Sequence, residues 1–137
     1  MSSQASLPAT RQWGSNQHLG KCGEYIAANY LQAKNYRILH QNWRSRSGEI
    51  DLVTKFRGQI VFVEVKTRTG REFGHPFEGL TKAKTERFYK LCSYWFQKYR
   101  ARLAPEISNE CYRVDCIGIT LTDTGMELMH QEGIGAP

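Results

Sequence analysis

The succession of patterns along the chain predicts an α/β domain with a mixed central sheet flanked by helices, in the order αβββαβ(β). Three observations carry this reading. Apolar residues recur at helical spacing over 16–34 and again from Pro76 to about Arg100. Alternating apolar runs separate and follow them. A length of 137 residues, with 40% hydrophobic and 12% aromatic content, suits one core and excludes a disordered chain.

Residues 1–15 are polar, contain Pro8 and Gly14, and read as a loose leader without the apolar segment of a signal peptide. From Asn16, a reasonable N-cap, Leu19, Gly23, Ile26, Ala27 and Tyr30 share one side of a first helix. "YRILHQNW" (36–43) reads as a first strand. "GEIDLVTKFRGQIVFVEVKTR" (48–68) reads as a hairpin turning at Arg57-Gly58, where glycine suits positive φ. A basic, glycine-punctuated loop follows at 66–76. The second helix is expected to begin near Pro76, with Glu78 in its first turn and Phe77, Leu80, Phe88, Leu91, Cys92, Trp95 and Tyr99 on its apolar face. "CYRVDCIGITL" (111–121) gives a fourth strand and 126–134 a short fifth. The organisation expected is therefore a leader (1–15), a domain (16–121) and a tail (122–137) with a short edge strand.

The net charge of +6 points to a polyanionic partner, of which nucleic acid is the commonest. Cys22, Cys92, Cys111 and Cys116 lack CxxC spacing, and His18 with Cys22 supplies only two ligands, so thiols in a reducing compartment are expected rather than a zinc site. No run approaches the roughly 20 apolar residues needed to cross a bilayer. The expectation is a soluble, cytoplasmic protein.

The hairpin raises the chemical question. Alternation points Glu64 and Lys66 the same way as Ile60 and Phe62, with Val61, Val63 and Val65 opposite. A two-residue turn at Arg57-Gly58 sets Phe56 against Gln59, Asp51 against Glu64 and Glu49 against Lys66. Directly opposed side chains lie about 4.5–5.5 Å apart at Cβ. Two carboxylates so close repel unless a proton, a cation or Lys66 intervenes. Mg²⁺, which takes one or two carboxylates with waters and substrate phosphate, is a natural occupant. A cross-strand salt-bridge ladder is the simpler alternative, but it leaves the Asp51–Glu64 repulsion unexplained.

Gly20, Ala27 and Ala28 leave room near Glu24 on the first helix, and Gly23 reads as a close-packing position. Lys84 interrupts the apolar stripe of the second helix between Leu80 and Phe88, where it can snorkel or reach an anion. Lys82, Glu86 and Lys90 read as a solvated i, i+4 ladder on the other side. Arg44, Arg46, Arg68 and Arg71, interleaved with Trp43 and Phe73, bracket the charged end of the hairpin as phosphate contacts.

"GKCGEYIAANYL", "NWRSRSGEIDLV", "IVFVEVKTR" and "FGHPFEGLTKAKTERF" resemble the YraN-like family of small bacterial proteins, over about residues 16–120. That family in turn is similar to the archaeal Holliday-junction resolvases and the PD-(D/E)xK nucleases. The resemblance implies a restriction-endonuclease-like core and Mg²⁺- or Mn²⁺-dependent phosphodiester hydrolysis. It implies metal binding by Asp51 and Glu64, with the Val65 carbonyl available to join them. Lys66 would position the attacking water, Glu24 would reach the metal directly or through water, and Lys84 would contact phosphate. Where the superfamily places proline before the aspartate, this chain has Ile50. DNA is the implied substrate, branched DNA by analogy to the resolvases, and a homodimer is implied by the same analogy. A non-catalytic nucleic-acid-binding module on the same fold is the alternative, and a structural adaptor a third.

Overall fold

The computed structural model describes residues 16–70, 80–107 and 111–135, with side chains from Leu19 onward. The leader, Arg71, Phe73, Pro76, Phe77 and Glu78 lie outside the described residues, as do the side chains of Asn16 and His18. The elements are α1 (Asn16–Ala33), β1 (Arg37–Ser45), β2 (Gly48–Phe56), β3 (Gln59–Thr69), α2 (Lys82–Leu103), β4 (Arg113–Thr122) and β5 (Gly125–Gln131). This is the expected α/β order, with the fifth strand present. The second helix starts later than Pro76, at Lys82, because Thr81 stands in extended conformation and its hydroxyl accepts the Lys84 N–H.

The five strands lie in sequence order, antiparallel except for β3 and β4, which are parallel and joined through α2. The β2–β3 turn is the predicted one, with both Arg57 (φ 52°) and Gly58 (φ 76°) in the left-handed region. Each face of the sheet carries one helix and one apolar cluster. Ala27, Ala28 and Leu31 of α1 pack on Leu52, Val61, Val63, Ile117, Ile119 and Leu121. Leu91, Cys92, Trp95 and Phe96 of α2 pack on Ile50, Val53, Ile60, Phe62 and Val114. β3 thus alternates as its sequence predicts, and the Ile60, Phe62, Glu64, Lys66 side belongs to α2. Gly23 is where α1 meets β3: a Cβ there would overlap the Thr67 hydroxyl, whereas Gly20 faces open space.

A polar knot fastens the last strand. Asp115, fully buried, accepts from Arg113 Nε and Nη2 (2.9 Å each), His130 Nε2 (2.8 Å) and the Gly133 N–H (3.1 Å). Arg113 also donates to Tyr36 Oη (2.7 Å), and His130 Nδ1 pairs with Tyr30 Oη (2.9 Å). Every oxygen of the buried carboxylate is satisfied, which is the condition for burying it. Beyond the knot the chain returns to α2, where Tyr89 Oη donates to the Ile134 carbonyl at 2.7 Å. The thiols of Cys92 and Cys116 are buried packing groups; burial pushes Cys116 up to about 12 and Cys92 higher still. Among the described residues no helix is long and apolar enough to cross a membrane.

Candidate active site at a fork in the sheet

The β2–β3 ladder runs in the predicted register from Phe56↔Gln59 to Leu52↔Val63 and then stops. Both strands continue, but with other partners: β2 stays with β1 as far as Ser45↔Gly48, and β3 stays with β4 as far as Thr69↔Leu121. The sheet therefore forks, and Asp51 is the first residue of β2 past the last paired rung. Its Oδ2 accepts the Val65 N–H at 2.8 Å, so a side chain occupies the place of the next ladder acceptor. On the β1 side, Gln41↔Leu52 and Trp43↔Ile50 are paired with Asn42 and Asp51 between them. Asn42 has φ 53°, a left-handed conformation that asparagine tolerates better than most residues.

Asp51 is touched from both faces of the sheet. Glu64, from the α2 side of β3, and Glu24 of α1, with Asn42 beside it, both lie close enough to act on its carboxyl. Burial, then the charge of Glu64, pushes Asp51 up to about 8, against the opposing pull of the Val65 N–H. Burial and the Asp51 charge raise Glu24 as well. The Lys66 ammonium lies 3.4 Å from Glu64, both side chains being half-buried. The opposition of Glu49 and Lys66 expected from strict hairpin pairing is absent, because the strands have already parted; Glu49 pairs instead with Arg44 at 3.3 Å.

The α2-facing side of the fork opens into a cleft of about 300 Å³, whose lining includes Glu49, Glu64, Lys66, Lys84, Arg87 and Phe88. Lys84 thus lines the same cleft as Glu64 and Lys66, the second of the two placements that its position in the apolar stripe left open. Ser47, Arg87 and Leu91 are shared with a second cleft of about 690 Å³ that carries Arg44 and Arg46 with Lys90 and Lys98. Arg68 lies farther along β3, opposite Thr120, and lines neither cleft. Lys82, Glu86 and Lys90 are exposed and line one surface cleft together, as their spacing predicts, and Lys90 also borders the basic cleft. Asn42, Arg87, Tyr94 and Lys98 were not anticipated. For the helix residues the signal was available, since Arg87, Lys90, Tyr94 and Lys98 follow at three- and four-residue steps.

Asp51 and Glu64 fit a hard divalent ion. Two neighbouring carboxyl groups, one of them pushed up by burial and then by the charge of the other, mark a point where a cation can replace a proton. Among the described residues no group of three His, Cys, Asp or Glu side chains forms a ready metal cage. Glu24 and Glu64 are chained through Asp51, so the donor set matches an ion that keeps several waters better than a closed structural site.

The model of the uncharacterised protein family UPF0102 matches residues 23–119, in line with the resemblance read from the motifs. A UPF0102 protein of Clavibacter michiganensis is 44% identical over 103 residues, covering 75% of this chain and 82% of its own. One from Symbiobacterium thermophilum is 48% identical over 91 residues, covering 66% and 74%. One from Arthrobacter sp. is 37% identical over 118 residues, covering 85% and 95%. Among solved structures, Pyrococcus furiosus SfsA in complex with Ca²⁺ matches with 16% identity and a TM-score of 0.40, over 86% of this chain and 64% of that one, a likeness too distant to bear on the site.

Proposed function

We propose a function for this chain, which belongs to the uncharacterised protein family UPF0102: a divalent-metal-dependent endonuclease hydrolysing phosphodiester bonds in DNA. One observation carries the reading. Asp51 and Glu64 neighbour each other at a fork in the sheet with Lys66 3.4 Å from Glu64, and the cleft that Glu64 and Lys66 line is walled by Lys84 and Arg87. An ion pair ladder has no use for a proton-sharing carboxylate pair in a half-buried place, whereas phosphodiester hydrolysis needs clustered carboxylates facing a cation-lined groove.

Asp51 and Glu64 would hold Mg²⁺ or Mn²⁺, and Glu24 would steady Asp51 from the α1 side or reach the ion through water. When bound, the ion supplies Lewis acidity and lowers the pKa of its water. Lys66 orients the attacking water and offsets charge on the phosphate; Lys84 and Arg87 hold the phosphate from the α2 side. Arg44 and Arg46 extend the backbone contacts along the second cleft, giving affinity that falls with salt.

The test is incubation of labelled four-way junction, flap, single-stranded and duplex DNA with Mg²⁺ or Mn²⁺, beside Asp51→Ala. Metal-dependent products that vanish in the variant establish the nuclease. The large basic cleft favours a second reading, a binding module without turnover. Intact DNA in every lane, with binding undiminished in EDTA, would select it.

A further inference from the structure

We infer that the cleft between β1 and α2 seats unstacked, single-stranded nucleic acid and feeds it to the fork. This deepens the nuclease reading and rests on it for the direction of travel. Two walls define the cleft, Trp43 to Ser47 from β1 and its turn, and Arg87, Lys90, Leu91, Tyr94 and Lys98 from α2. Among the described lining residues five are cations and none is acidic, and Arg44 is paired with Glu49 at 3.3 Å.

The aromatic residues set the strand type. On α2, Trp95 and Phe96 are buried, whereas Tyr94, next in sequence, is 54% exposed on the cleft wall. Its ring lies 6.0 Å from that of Trp43 at 42°, too close for a base to slip between, so the pair forms one platform with an open side. Trp43 is held by its Nε1–H to Tyr99 Oη (3.3 Å) and by edge contact with the Tyr99 ring. Lys98 hangs over the Tyr94 ring at 5.9 Å. A single exposed tyrosine is ordinary surface. A fixed aromatic pair set among cations is the equipment of single-strand binding, where every base offers a ring face to stack. A duplex keeps those faces inside its own stack and gains nothing from the platform.

The groove also has length and direction. Lys84 to Lys98 spans about 21 Å at 1.5 Å per residue, room for several phosphates of an extended strand. Ser47, Arg87 and Leu91 line both clefts, so a strand stacked on Tyr94 continues past Arg87 to Lys84, Lys66 and Glu64.

The experiment is fluorescence anisotropy in EDTA with labelled (dT)₁₂ and a 12-base-pair blunt duplex, on wild type, Tyr94→Ala, Tyr94→Phe and Arg87→Ala/Lys90→Ala. Wild type should prefer (dT)₁₂. Tyr94→Ala should weaken it about 5- to 100-fold, the loss of one stacked base, with the salt slope unchanged, and Tyr94→Phe should restore it. The double variant should reduce the salt slope by about 1.4 for two lost phosphate contacts on a single strand. Equal binding of duplex and (dT)₁₂, or a Tyr94→Ala variant that binds as wild type does, overturns the inference. The two proposals fail separately. Tyr94-dependent (dT)₁₂ binding without any cleavage sinks the nuclease and keeps the seat; cleavage indifferent to Tyr94 sinks the seat and keeps the nuclease.

Discussion

Replacing Asp51 by asparagine should stabilise the metal-free protein. The asparagine side chain can keep the acceptor bond from the Val65 N–H while donating its amide to Glu64, so the geometry survives and the repulsion goes. Asp51 moves from its ordinary value of 3.8 to about 8 in the folded chain, driven by burial and then by Glu64. Taken at full weight that displacement is worth roughly 6 kcal/mol at 1.36 kcal/mol per pKa unit. Water entering the open fork and a slight parting of the carboxylates relieve most of it, leaving about 2 kcal/mol. Between pH 4 and 8 the folded state keeps a proton that the unfolded state has released, so wild-type stability falls as pH rises through this window. The variant has no such proton. Its advantage should therefore be small near pH 4–5 and reach a rise in Tm of roughly 5–10 °C at pH 8, read by circular dichroism in EDTA. Magnesium should reverse the order of merit: at about a hundred times its Kd it adds about 2.7 kcal/mol to wild type, more than the deficit of about 2, and far less to the variant. An Asp51→Asn protein no more stable than wild type at pH 8, or an advantage that ignores pH, would refute the argument that the pair is held under repulsion.

Two further substitutions probe what positions the site. Gly23→Ala should cost about 2–3 kcal/mol in urea denaturation, because the added methyl meets the buried Thr67 hydroxyl; Gly20→Ala, facing open space, should instead gain up to about 1 kcal/mol from helix propensity. Asp115→Ala should cost about 3–5 kcal/mol by taking the shared acceptor from His130, the Gly133 N–H and the partly buried Arg113, which keeps only Glu132 and Tyr36. Hydrogen bonds from His130 and Arg113 hold the Asp115 carboxyl below its ordinary 3.8 despite burial. Its contribution is thus present above about pH 4 and lost as pH falls below, which acid titration of wild type against Asp115→Asn would follow.

The hairpin was legible from the chain alone because a two-residue turn at Arg57-Gly58 leaves one parity for everything that follows. That parity put Glu64 and Lys66 on one face and brought Asp51 to Glu64, and Gly23 announced the tight approach of α1. Lys84 was visible as a charge in an apolar stripe. Each of these rests on residues close in sequence or on strict alternation.

The fork could not be read in this way. It depends on β3 staying with its parallel partner β4, which lies beyond the whole of α2 in the chain, while β2 stays with β1, and on Asn42 yielding to a left-handed backbone opposite Asp51. Ladder arithmetic assumes the strands stay together, which is why it paired Glu49 with Lys66 where the structure has Arg44 and Glu64 as their partners. The i, i+4 spacing of Lys82, Glu86 and Lys90 says which residues share an exposed helix face, not that Lys90 also borders the groove against β1. Only the packing of Leu91 and Trp95 against the sheet turned Arg87, Tyr94 and Lys98 toward β1 and made a groove of them. The local pattern of the chain set its elements and the chemistry they carry; long-range strand pairing and helix docking decided which of those groups meet.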